Sequence, residues 1–366
     1  MCRKLRGRMA TLMLVGMLLG IARVFLAAQE PPELEGKPVA QAPAEQKPTP
    51  LPEDIEKAWA AAGAEIGWMR LKMQIDEPLL GETGSMLTFV PRDEGQKGDI
   101  PAFRLRAWQT GLLPNLPEPQ VPFGLDLSLR LTDSGLVDLR GLNNLQWLDL
   151  EATKITDAGL KELAGLKNLQ TLHLNGTQIT DAGLKELTGL KNLRWLDLSH
   201  TKITDPGLKE LSGLKNLQGL GLSATKITDA GLKELTGLKN LQWLNLTNTQ
   251  ITDAGLKELT GLKNLQWLNL TNTPITDAGL KELAGLKNLQ WLSLISTPIT
   301  DAGLKELAAL KNLQWLYLWN TRISDAGLKE LAALKNLQWL SLWGTQVTDA
   351  GVEELRKALP NCDISR

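Results

Sequence analysis

The side chains best placed to do chemistry stand in one line. His173 occupies the middle outward position of a short predicted strand, and the same position in the units on either side holds Asp149 and Asp197. Neighbouring strands lie ~4.8 Å apart, so Asp, His and Asp would follow one another at a spacing where imidazole and carboxylate could exchange a proton or share a metal ion. The only other histidine, His200, falls three residues further along the adjacent strand, too far to complete a compact ligand set. The preferred reading is a charge-relieving surface row, with Glu151 extending its acidic end. It predicts a raised His173 pKa, because two flanking carboxylates favour the charged ring. The enzyme alternative, acid–base chemistry by His173 with Asp149 or Asp197, has no other support. There is no phosphate-cradling glycine loop, paired-cysteine metal motif or serine elbow, and neither a cofactor nor a metal is implied.

A second line is aromatic. The chain has 12 Trp against 4 Phe and 1 Tyr, and Trp147, Trp195, Trp243, Trp267, Trp291, Trp315 and Trp339 all share one position of a repeated unit. Tyr317, Trp319 and Trp343 widen this surface in the last units, while Gly219 and Gly221 predict a notch in it. Adjacent indoles could simply stack along a sheet. Stacking does not explain the extra aromatics at one end, where a contiguous outward patch has the character of a binding hot spot. The expected binding surface is Trp243, Trp267, Trp291, Trp315, Tyr317, Trp319, Trp339 and Trp343, with 291–343 as its main contact and Asp149, Glu151, His173 and Asp197 as a secondary, orienting end.

Both lines depend on a 24-residue unit whose opening leucines fall at 145, 169, 193, 217, 241, 265, 289, 313 and 337 without a slip. A fixed period of this length marks a solenoid, in which each unit buries its apolar face only against its neighbours. In the first full unit Leu148 and Leu150 share the inner face of a strand, and Trp147, Asp149 and Glu151 share the outer one. Ile155 continues the core, Asp157 is read as a helix N-cap, Leu160 and Leu163 form the buried stripe, and Gly165 is read as a left-handed helix end. Ala309 and Ala333 replace that glycine and predict less sharply ended helices. The Thr at 153, and every 24 residues to 345, is expected to satisfy turn backbone. Strands at ~4.8 Å and helices at ~8–10 Å bend such an array with the strands inside.

The pattern L-x-x-L-x-L-x-x-T-x-I-T-D-A-G-L-K-E-L resembles the leucine-rich repeats, in particular the variety found in exported bacterial repeat proteins and in the repeat arms of F-box proteins. The resemblance implies an α/β solenoid, a horseshoe with a parallel concave sheet and short convex helices, and leaves the ligand open. Gly63 to Met69 and Pro122 to Leu125 are also similar to the segment that precedes the repeats in some of those exported proteins.

The chain divides into a leader (1–28), a Pro-rich stretch read as a disordered tether (29–52), a small α+β cap (53–120) and the repeat domain (121–366). In the cap, Ile55, Trp59, Ala62 and Ile66 predict a helix from Glu53 to about Glu65, broken at Gly67 if not at Gly63, and alternation at Met69 to Ile75 and Phe103 to Ala107 predicts strands. The leader has Arg3, Lys4, Arg6 and Arg8, an apolar run from Met9 to Ala22 and small residues at Ala27 and Ala28. It reads as an export signal, or, left uncleaved, as an inner-membrane anchor using residues 9–26. Either places the protein in the periplasm or cell envelope, or outside the cell. Removing 1–28 leaves 35 basic against 41 acidic residues, a net of −6, which excludes general attraction for nucleic acid. The expected function is non-enzymatic binding of a macromolecule, protein before glycan. The alternative of an F-box-like degradation adaptor conflicts with the export signal and with a cap that lacks F-box character.

Overall fold

The computed structural model describes residues 48–71, 87–128 and 131–366. The leader, most of the Pro-rich stretch and the alternation through Met73 and Ile75 lie outside those residues. Helix α1 (Glu53–Ala61) stops short of Glu65 because Gly63 turns the chain at φ +87° into strand β1 (Ala64–Leu71). Strands β2 (Leu87–Pro91) and β3 (Ile100–Leu105) both pair antiparallel with β1. From β3 the ladder is parallel through β4 (Phe123–Asp126), β5 (Leu145–Asp149), β6 (Thr171–His173), β7 (Trp195–Asp197) and β8 (Gly219–Gly221). It continues through β9 (Trp243–Asn245), β10 (Trp267–Asn269), β11 (Trp291–Ser293), β12 (Trp315–Tyr317), β13 (Trp339–Ser341) and β14 (Asp363–Ser365). All 14 strands belong to one open sheet. Trp59 joins its first part to the repeats: it stacks on Phe103 at 4.0 Å, meets Phe123 edge-on at 6.3 Å and donates its indole N–H to the Pro117 carbonyl at 3.0 Å. One apolar core therefore runs from Leu51 to Ile364.

Within a unit the leucines are placed as their spacing predicts, with Leu148, Leu150, Ile155, Leu160 and Leu163 all fully buried. The Thr153 hydroxyl donates to the Leu150 carbonyl at 2.7 Å, and Thr177 and Thr345 make the same bond at 2.6 Å. These bonds close a turn inside each unit and do not run between units.

The seam between units is built from residues whose roles differ from the sequence expectation. Thr156, not Asp157, is the helix N-cap: it is extended at φ −117°, and its hydroxyl accepts from the Ala158 N–H at 3.3 Å. In the unit containing Pro206 the equivalent Thr204 makes no such bond, since proline has no N–H to give. Asp157 is freed to reach forward, accepting from the Thr180 N–H at 2.7 Å and the Thr180 hydroxyl at 2.6 Å. The same two-bond clamp recurs from Asp133–Thr156 to Asp325–Thr348. The glycine two residues after each aspartate has its reason here, because a Cβ on Gly183 would lie 2.4 Å from Asp157 Oδ1. Each Thr-Asp-Ala-Gly thus caps its own helix, clamps the next unit and makes room for the clamp of the previous one.

Gly165 is not left-handed. The units with Ala309 and Ala333 end their helices at Leu307 and Leu331, at the same place in the unit as the glycine-containing ones. The last turn is closed from outside: Lys263 Nζ donates to the Gly285 carbonyl and Lys287 Nζ to the Ala309 carbonyl, both at 3.2 Å. Only the carbonyl is used, so glycine and alanine serve equally. The Asn of each Lys-Asn-Leu adds a further rung, as when Asn264 Nδ2 donates to the Lys239 carbonyl at 2.9 Å.

The left-handed residue lies elsewhere, just before the turn threonine. Ala152, His200, Ala224, Asn248, Asn272, Ser296 and Asn320 all have φ between 53° and 56°, and Gly176 and Gly344 take 69° and 66°. His200 is thereby explained as a turn residue. A left-handed alanine costs ~1–2 kcal/mol against glycine's greater entropy loss of ~0.5–1 kcal/mol. Ala224→Gly should therefore stabilise the chain by about 0.5–1 kcal/mol in urea denaturation, and a lowered midpoint would refute this account of the turn.

Candidate binding surface

The polar row forms as a register. Arg104, Asp126, Asp149, His173, Asp197 and Gly221 are cross-strand neighbours from β3 to β8. It is not the exposed row expected from the alternation, because Asp126, Asp149 and His173 are only 3%, 7% and 2% exposed. Asp126 takes a 2.7 Å bond from Arg104 Nε. Asp149 Oδ1 accepts from the Glu151 N–H at 2.9 Å and Asp197 Oδ1 from the Ser199 N–H at 2.9 Å. Asn245 and Asn269 make the same local bond to the Thr247 and Thr271 N–H at 3.0 Å.

Burial, reinforced by Asp126, pushes the Asp149 carboxyl up to about 7. Burial also raises Glu151, whose side chain accepts from Asn175 Nδ2 at 3.2 Å. The His173 prediction is reversed: desolvation outweighs Asp197, Glu151 and Asp126 and holds the imidazole below its ordinary value. His173 Nδ1 stands 4.0 Å from Asp149 Oδ2, so the pair is close but withdrawn beneath the surface. Among the described residues no group of three His, Cys, Asp or Glu could hold a metal ion.

Trp243, Trp267 and Trp291 are brought together as a stack whose faces are largely spent on one another. Trp243 and Trp267 stack at 4.5 Å and 18°, Trp267 and Trp291 at 4.2 Å and 14°, and Trp291 meets Tyr317 at 5.0 Å and 41°. The expected notch is filled. Trp195 leans over Gly219, where a Cβ would lie 1.8 Å from its ring, and reaches Trp243 at 6.4 Å. Asp197 covers Gly221 in the same way, with Oδ1 2.2 Å from the position of a Cβ.

Tyr317, expected to be outward and accessible, is 4% exposed, and burial drives its hydroxyl up to about 12. Trp291 is buried, while Trp243, Trp267, Trp315 and Trp339 are half-buried. Among the described residues the accessible aromatics are Trp319 and Trp343, 36% and 56% exposed, four residues beyond the tryptophan row in neighbouring units. Trp343 Nε1 donates to Ser365 Oγ at 2.8 Å, which fixes the indole with much of its surface in water. Half-buried Ile295 precedes them in the same row.

One residue the sequence reading passed over is Arg194. It stands where eight other units have glutamine, and it lies in a groove of about 300 Å³ with Gln170, Asn192, Asn216, Gln218 and Asn240. The break in an otherwise uniform glutamine column was the available signal.

A leucine rich repeat family model matches residues 143–203, 167–227, 192–251, 215–275 and 239–299. No curated protein matches the chain. Among solved structures, a leucine-rich repeat protein of Leptospira interrogans is 31% identical with a TM-score of 0.52, over 70% of this chain and 68% of that one. An internalin of Listeria monocytogenes is 24% identical with a TM-score of 0.50, over 69% of this chain and 81% of that one. The unbroken period, the parallel ladder and the repeated seam agree with these matches, and the chain belongs to the leucine-rich repeat proteins.

Proposed function

We propose that this chain is a non-enzymatic binding protein, acting outside the cytoplasm, that engages a protein partner through the aromatic end of its strand face. The observation that carries the reading is the pair Trp319 and Trp343: large, exposed, adjacent in successive units and mounted on a rigid ladder. Fixed indoles lose little freedom on binding and are the residue type most often found at hot spots. The stacked tryptophans from Trp243 to Trp291 stiffen the platform. Their faces are already in contact with one another, which leaves little for a sugar ring to stack on and favours a protein over a glycan. The catalytic alternative loses its candidate because His173 and Asp149 are buried. Export is supported by the basic and apolar leader in the sequence.

The test compares the full chain with Trp319→Ala/Trp343→Ala by affinity capture from cell-envelope extract, with captured proteins quantified against bare resin. A partner retained by the wild type should fall at least about tenfold, as expected for losing a hot-spot pair. Thermal melts run alongside check that the double variant remains folded, since Trp319 is partly packed and Trp343 is hydrogen-bonded to Ser365. Equal capture by both proteins would remove the aromatic end from the interface.

A further inference from the structure

We propose that the groove around Arg194 is a second, polar recognition site that seats a carboxylate from an extended acidic segment of the protein partner, an inference that rests on the protein-binding reading above. The groove is lined by Gln170, Asn192, Arg194, Asn216, Gln218 and Asn240, with no acidic residue among them. Arg194 is exposed, and among the described residues its guanidinium has neither a hydrogen-bonded nor a carboxylate partner. It is the single cation in a column of glutamines. Its backbone is fixed by the ladder: the Arg194 N–H donates to the Gln170 carbonyl at 2.8 Å, and its own carbonyl receives the Gln218 N–H at 2.7 Å.

The amides around it divide the work. Asn192, Asn216 and Asn240 commit their Nδ2 groups to the Lys167, Lys191 and Lys215 carbonyls at 2.8, 2.9 and 2.9 Å, which leaves their oxygens to accept. A ligand for this groove therefore combines an anionic group for the guanidinium with donors for the amide oxygens. An acidic side chain on a peptide backbone supplies both. The planar guanidinium can bind such a carboxylate through two parallel hydrogen bonds, which glutamine cannot do. An acidic sugar would offer the same charge. The groove lining holds no aromatic residue, and the indole next in sequence, Trp195, is buried at 5% exposure with its ring against Gly219, so the lining offers no aromatic face to a pyranose.

The experiment uses the full chain and a short fluorescein-labelled oligoglutamate, followed by anisotropy, with oligoglutamine and oligogalacturonate as comparison probes. Arg194→Gln recreates the residue found in eight other units and should fold normally, which a melting curve checks. Oligoglutamate should bind the wild type and oligoglutamine should not. Binding should weaken about tenfold in Arg194→Gln, the loss expected for a charge-assisted pair, with Arg194→Lys between the two. Absence of oligoglutamate binding, equal binding by wild type and Arg194→Gln, or preference for oligogalacturonate would each overturn the proposal. Trp319→Ala/Trp343→Ala should leave oligoglutamate binding unchanged, so failure at the aromatic end and failure at Arg194 are read separately.

Discussion

Gly303→Ala should destabilise the solenoid by about 2 kcal/mol or more, although helix propensity alone argues for a gain of about 1 kcal/mol when alanine replaces a helical glycine. Gly303 lies in the first turn of the helix Asp301–Leu307, where a Cβ would stand 2.4 Å from Asp277 Oδ1 of the preceding unit. That oxygen accepts from the Thr300 N–H at 2.8 Å, and its partner oxygen takes the Thr300 hydroxyl at 2.6 Å. The added methyl must push the carboxylate out of this clamp. Hydrogen bonds to charged groups are worth ~1.5–3 kcal/mol each when buried and less where water can replace them. Asp277→Ala should cost about 1–3 kcal/mol for the same reason. In the double variant no carboxylate remains to be struck, so the cost of Gly303→Ala should largely vanish. Urea midpoints for the wild type, both single variants and the double variant close the cycle. A stabilising Gly303→Ala, or strictly additive costs, would show that the clamp does not set the need for glycine.

The clamp also marks where sequence reasoning reached its limit. The period, the buried leucines and the turn threonines were legible because each follows from a spacing repeated inside one unit. Thr156 and Asp157 were harder, because both are good capping residues, and the choice between them depends on Thr180 in the next unit. The left-handed turn was hidden for another reason: Ala, His and Ser hold it about as often as Gly and Asn do, so composition gives no signal. At the candidate surface, alternation placed His173 and Tyr317 on the outward face, yet both are buried there. Period two identifies a face, whereas exposure depends on what the neighbouring rungs carry. With strands ~4.8 Å apart, bulky side chains cover whatever lies between them. Trp319 and Trp343 escape this because they sit beyond the stacked row.

The same covering makes Asp149 a pH-dependent liability, and Asp149→Asn should raise stability by about 2–4 kcal/mol at pH 8 while changing it little near pH 4. The folded carboxyl titrates at about 7, well above its ordinary value of 3.8, so the folded chain holds a proton that the unfolded chain has released. A group raised in this way contributes its full stability below the ordinary carboxylate value and loses it as pH climbs through the folded value. At ~1.36 kcal/mol per unit, about three units set a ceiling near 4 kcal/mol. His173 acts in the opposite sense. Its lowered folded value costs stability as pH falls below the ordinary imidazole range, so the wild-type profile should be shallower than Asp149 alone would give. Asparagine suits the site because Asn245 and Asn269 already occupy equivalent positions and keep the same bond to the N–H two residues on. It retains the acceptor for the Glu151 N–H and cannot ionise. Denaturation midpoints for both proteins across this pH range decide the matter. A variant that is less stable at pH 8, or a gain that does not shrink toward pH 4, would mean that burial does not penalise the folded Asp149 carboxylate and that its folded value is not raised.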